Sequence, residues 1–86
     1  MPNYTVYLTK RAQKQLDLFS NTIAYPIITA ISQLEFDPRP IGYKKLKGRE
    51  AYRIRVGNYR IIYEIVDFEL IVTIITLGHR KDIYNP

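Results

Sequence analysis

Cysteine and tryptophan are missing from this 86-residue chain, and histidine and methionine occur once each. Without cysteine there is no disulfide framework and no thiolate metal site. A lone imidazole, His79, does not make a zinc centre without several carboxylates beside it, so no metal and no cofactor are expected. Long apolar runs are missing too. The longest, Leu70 to Leu77, is eight residues with two threonines in it, against roughly 20 for a bilayer span. The opening Met1-Pro2-Asn3-Tyr4 has neither the basic nor the apolar stretch of a secretion signal. These absences lead to the expectation of a reduced, cytoplasmic protein with no membrane partner.

What is present is a core's worth of apolar residues, 47%, and an unevenly placed positive charge. That apolar content argues against wholesale disorder, and the length suits one domain spanning 1–86. The net charge is +5. Between Pro38 and Arg60, eight basic residues (Arg39, Lys44, Lys45, Lys47, Arg49, Arg53, Arg55, Arg60) meet one acid, Glu50, a local net of +7. The other 63 residues carry five basic and seven acidic side chains, a net of −2. All of the excess belongs to one stretch, which points to an anionic partner.

Periodicity places the elements. Tyr4 to Leu8 alternates and is rich in aromatic and β-branched residues, as in a short strand. Thr9 offers an N-cap, and Ala12, Leu16 and Phe19 recur at helical spacing to about Ser20. A second helix opens near Asn21 or Thr22, with Ile23, Ile27, Ile31 and Leu34 on one stripe. Pro26 lies inside that pattern and is best tolerated in a first turn, which would move the ordered start towards Tyr25. Two prolines and a glycine in Asp37–Gly42 make a loop, and a basic approach, Lys44 to Gly48, follows without strong periodicity. Three strand-like runs come next: Ala51 to Val56, Tyr59 to Val66 and Glu69 to Leu77. Gly57-Asn58 is a strong hairpin signal, Asp67-Phe68 a weaker one, and Gly78 is read as the close of the last strand. The expected fold is α+β: an N-terminal strand, an αα-hairpin, then a three-stranded antiparallel meander, with both helices on one face of the sheet.

Hairpin register turns the outline into chemistry. With Gly57-Asn58 as the loop, Val56 opposes Tyr59, Arg55 opposes Arg60, and Ile54 opposes Ile61. Alternation then puts Tyr52, Ile54, Val56, Tyr59, Ile61, Tyr63 and Ile65 on the side that meets the helices. Arg53, Arg55 and Arg60 fall on the other side, with Ile62 nearby and Glu64 one step further. Like charges directly across a ladder repel. Such a face suits bidentate phosphate binding better than stability. The competing reading is a solvated face that only aids solubility. Past the third strand, Arg80 can reach the same anion, while an isolated histidine such as His79 and a terminal tyrosine such as Tyr84 are often only structural.

These residues resemble a known family. Tyr52-Arg53-Ile54-Arg55-Val56-Gly57-Asn58-Tyr59-Arg60-Ile61-Ile62-Tyr63, followed by Gly78-His79-Arg80-Lys81-Asp82-Ile83-Tyr84, is similar to the RelE branch of the RelE/ParE toxin superfamily, and Leu46-Lys47-Gly48 matches the usual lead-in. The resemblance covers nearly the whole chain. It implies the toxin half of a type II toxin–antitoxin pair, a metal-independent endoribonuclease that cleaves messenger RNA in the ribosomal A site. Carried over, the catalytic roles fall to Arg53, Arg55, Arg60, Arg80 and Tyr84. Some members have lysines at the positions of Arg53 and Arg55, and arginine is almost never deprotonated. The general base is therefore unassigned, with His79, Tyr84 and Glu64 as candidates. Lys44, Lys45, Lys47 and Arg49 are expected to contact ribosomal RNA. The implied partners are the ribosome with its message and a cognate RelB-like antitoxin, wrapped over the outer side of the first helix and along Arg39 to Arg49. The alternatives are a ParE-like inhibitor of DNA gyrase and a non-catalytic RNA-binding module.

Overall fold

Thr9 begins the first helix and also fastens it. Its φ of −65° and ψ of 162° are extended, and its hydroxyl oxygen accepts the Ala12 N–H at 3.1 Å while donating to the Ile75 carbonyl at 2.9 Å. In the computed structural model, which describes residues 3–79, the order is β1 (Thr5–Leu8), α1 (Lys10–Asp17), α2 (Asn21–Gln33), β2 (Lys44–Lys45), β3 (Ala51–Val56), β4 (Tyr59–Val66) and β5 (Ile71–His79). The second helix does not wait for Tyr25. It starts at Asn21, where the Ser20 carbonyl accepts from Ile23 and Ala24. Pro26 therefore stands beyond the first turn and cannot donate to the Thr22 carbonyl, a loss tolerated because both residues are exposed to water.

The α+β class and the order of helices and long strands are as expected, but the sheet has five strands, in the order β1-β5-β4-β3-β2. The added strand is β2: Lys44 pairs with Arg53 and Lys45 with Tyr52. The N-terminal strand lies at the opposite edge, parallel to β5, with Thr5 beside Ile71 and Leu8 beside Ile74. β3 and β4 keep the register read from the hairpin, Val56 against Tyr59 and Arg55 against Arg60. Gly57 supplies the positive φ, 59°, that the tight loop needs. The second turn departs from expectation. It is a 3₁₀ turn over Asp67–Glu69 closed by Leu70 at φ 57°, ψ 47°, which delays β5 to Ile71. Gly78 does not end that strand; it pairs with Arg60 inside the ladder.

β5 also carries a bulge. Tyr63 pairs with Ile74 and Ile62 with Thr76, leaving Ile75 without a position opposite it. The extra residue reverses side-chain parity in the second half of the strand. Val72, Ile74 and then Leu77 consequently all enter the core. There they meet Tyr52, Ile54, Ile61 and Tyr63 of the sheet and Ala12, Ile27, Ile31 and Leu34 around the helices. The predicted apolar face is thus the one that packs. Beyond the end of β1, α1 runs beside β5, and Gln15 Oε1 accepts from the Leu77 N–H at 2.9 Å and the Thr76 hydroxyl at 3.0 Å.

Arg39, counted above with the other basic residues of the stretch, is structural. It grips Asp67 through two bonds, 3.0 and 2.8 Å, lies 5.1 Å over the Tyr52 ring and donates to the Tyr52 hydroxyl at 3.3 Å. Tyr4 donates to the same Asp67 carboxylate at 2.8 Å. Beneath this clasp the buried Tyr63 hydroxyl donates to the Pro38 carbonyl at 2.7 Å. The loop after α2 is therefore tied to the far turn of the sheet. Among the described residues no helix is long and apolar enough to cross a membrane.

Candidate nucleic-acid interface

The face opposite the core is built from two cross-strand pairs of like charge. Arg55 on β3 faces Arg60 on β4, as the hairpin predicted. Lys44 on β2 faces Arg53 on β3, a pair that only the added strand creates. Residues directly across an antiparallel ladder share a side, so four cations share this one. The face is less open than the sequence suggested. Arg53 is 5% exposed and Arg60 1%, while Arg55 and Lys44 are exposed. The Arg53 Nη1 is buried without a hydrogen-bond partner. Burial, and then the charge of Arg55, push the Arg53 pKa down from its ordinary value. An anion seated on the guanidinium would act against both, because an opposite charge favours the charged form.

Arg53 stands between two concavities. One, of about 450 Å³, is lined by Lys44, Arg53 and Arg55 together with Ile41, Gly42 and Gln33. The second, of about 280 Å³, lies on the side of β5 and α1 and is lined by Arg53, Arg49, Arg11, Ile62, Ile75 and Thr76.

The remaining candidates separate. Lys45 points with Tyr52 to the other side of the sheet and pairs with Glu50 at 3.4 Å. Lys47 and Arg49 are exposed in the turn between β2 and β3. Glu64, opposite Ala51, shares the side of Arg60 and is exposed. His79 does not join the arginines: it pairs with Tyr59 and meets that ring edge-on, with centroids 5.4 Å apart. Tyr59 in turn meets Phe19 at 5.1 Å on the core side. The bulge is the reason: were Ile75 an ordinary ladder position opposite Ile62, alternation would place His79 on the side of Arg60. Arg80 and Tyr84 lie outside the described residues. Arg11 went unnoticed in the sequence; its signal was the four-residue spacing from Gln15, which puts both on one helix face. Among the described residues, no three potential carboxylate or imidazole ligands gather around a metal position.

Residues 6–84 match the family model for the ParE toxin of type II toxin–antitoxin systems, parDE. Toxin RelG of Mycobacterium tuberculosis is 33% identical over 85 residues, spanning 95% of this chain and 97% of that protein. A chain of the archaeal RelE–RelB complex from Pyrococcus horikoshii superposes with a TM-score of 0.81 at 27% identity, covering 91% of this chain and 96% of its own length. A chain of the RelB–RelE antitoxin–toxin complex from Methanococcus jannaschii does so with a TM-score of 0.71 at 30% identity, over 92% and 95% of the two chains. The chain belongs to the RelE/ParE superfamily of type II toxins, and its relatives place it with the RelE-like members.

Proposed function

We propose that this toxin is a ribosome-dependent endoribonuclease that cleaves messenger RNA in the A site, acts in the cytoplasm and is held inactive by a RelB-like antitoxin. The observation that supports this reading most is Arg55 set directly against Arg60, beside Lys44 set against Arg53. Two opposed pairs of cations are costly alone and become favourable around a polyanion. In the reaction the 2′-oxygen bonds to phosphorus and the bond from phosphorus to the 5′-oxygen breaks. The products are a 2′,3′-cyclic phosphate and a 5′-hydroxyl.

Arg55 and Arg60 stabilise charge on the phosphate in flight, and Arg80 is assigned to the same role. Tyr84 stacks on a base or orients the 2′-hydroxyl. His79 faces the other side of the sheet, so the proton acceptor is sought in Glu64, Tyr84 or the ribosome itself. Lys44, Lys47 and Arg49 lie along the approach to ribosomal RNA.

The test is a translation extract programmed with message. Arg55→Ala is the preferred variant because Arg55 is exposed and its loss leaves packing intact. Removing one preorganised donor is expected to lower cleavage by about a hundred- to a thousandfold. Full activity in that variant overturns the mechanism. The ParE family match supports one other reading, inhibition of DNA gyrase. Intact message beside loss of gyrase supercoiling would select it.

A further inference from the structure

The smaller concavity contains more than the opposed pairs require. Its rim brings three guanidinium-bearing residues from three elements: Arg11 from α1, Arg49 from the β2–β3 turn and Arg53 from β3. Among the described residues no acidic side chain lines it. Ile62 and Ile75 make an apolar wall, with Thr76 between that wall and the helix. The volume, about 280 Å³, is close to the lower end of small-ligand sites at roughly 300 Å³.

Each part has a local cause. The bulge brings both Ile75 and Thr76 to the cavity, although adjacent strand residues ordinarily face opposite ways. Gln15, bonded to Thr76 and Leu77, anchors α1 against β5, and Arg11 sits one turn earlier on the same helix face. Arg53 contributes a buried Nη1 with no partner. A buried N–H is normally satisfied, and an unsatisfied one carries a free-energy cost that a bound acceptor removes.

We propose that Arg11, Arg49 and Arg53 form a nucleotide subsite, in which their guanidiniums hold one RNA phosphate while Ile62 and Ile75 take the face of the adjoining base. This rests on the reading of the protein as an RNA-directed toxin and adds Arg11 of α1 as a binding residue. The shared chemistry is a ribonucleotide phosphate, whether from the message or from ribosomal RNA.

The experiment uses the full chain without its antitoxin and an eight-nucleotide RNA whose 2′-hydroxyls are methylated, so that it binds and is not cleaved. Affinity is read by fluorescence anisotropy across a salt series for wild type, Arg11→Ala, Arg11→Lys and Lys10→Ala. Lys10→Ala removes the same charge from the same helix outside the cavity. Arg11→Ala is expected to weaken binding about tenfold and to flatten the slope of log affinity against log salt by about 0.7, one single-strand phosphate contact. Arg11→Lys should keep the slope and recover part of the affinity. The methyl resonances of Ile62 and Ile75 should shift on titration, while that of Ile28 on α2 should not. Repeating the binding with message-free ribosomes separates the sources: loss confined to the RNA oligomer assigns the phosphate to the message, and loss confined to ribosomes assigns it to ribosomal RNA. Equal behaviour of Arg11→Ala and Lys10→Ala overturns the proposal. So does an equal loss of binding to poly-glutamate, which would mark the cavity as a site for acidic polypeptide. If wild type leaves message intact on ribosomes but Arg11→Ala still shows its loss, the subsite stands and the nuclease reading falls.

Discussion

Tyr63→Phe removes one oxygen from the least accessible part of the molecule. The Tyr63 side chain is fully buried, and its hydroxyl donates to the Pro38 carbonyl at 2.7 Å. Pro38 is buried as well, so water does not replace the lost donor. The ring stays, stacked on Tyr52 with centroids 5.9 Å apart, and little packing is lost. The expected cost is that of a buried acceptor left unpaired, about 1–3 kcal/mol. For a domain of this size that corresponds to a fall in Tm of the order of 5–20 °C. Urea denaturation of the two proteins side by side measures it. Tyr52→Phe is the comparison: its hydroxyl accepts from Arg39 at 3.3 Å, and Arg39 keeps Asp67 in its absence, so the loss should stay below about 1 kcal/mol. Alkaline pH gives a second reading. Burial holds the Tyr63 pKa above its ordinary value of 10.0. A group that binds its proton more tightly when folded stabilises below its unfolded pKa and loses that contribution as pH rises above it. The advantage of wild type over Tyr63→Phe should therefore be flat from about pH 6 to 9 and shrink above about 10. A variant within about 0.5 kcal/mol of wild type at neutral pH would refute the reasoning, because it would mean the Pro38 carbonyl is hydrated.

Two further variants address the turn between β4 and β5. The Asp67 carboxyl is held down to about 2, first by the bond from Arg39 and then by the one from Tyr4. Its contribution is present above the ordinary value near 3.8 and is lost as pH falls towards 2. Asp67→Asn should abolish that part of the acid dependence when Tm is followed from pH 6 to 2.5. Leu70 is a half-exposed, left-handed residue at φ 57°. Leu70→Gly should stabilise by about 0.5–1 kcal/mol in chemical denaturation, because relief of the strain exceeds the added chain entropy. A loss of stability would show that the leucine's remaining contacts outweigh the strain.

The hairpin was legible because two local signals agreed. Gly57 fixed the loop, and alternation on either side fixed both faces, including Arg55 opposite Arg60. β2 was not legible: two exposed lysines carry no hydrophobic pattern, and their pairing depends on a strand that comes later in the chain. The bulge in β5 was not read from the sequence, although a hint existed. Thr73 and Thr76 are three residues apart in an otherwise apolar run, a spacing that a straight strand cannot place on one side. That hint decides the side on which His79 falls. Arg39 was counted with the other cations because its carboxylate lies 28 residues further along the chain.

The clasp at Arg39 has a consequence for how the protein meets its target. With Arg39 matched to Asp67 and Lys45 to Glu50, the other basic residues of this stretch lie at Lys44, Arg53, Arg55 and Arg60 on one side of the sheet and at Lys47 and Arg49 in the adjoining turn. The molecule is then an electric dipole as well as a cation. A polyanion would turn it before touching it, presenting the basic side in a larger share of encounters than random tumbling allows. Added salt would act first on that alignment, so association should slow with ionic strength more steeply than dissociation quickens.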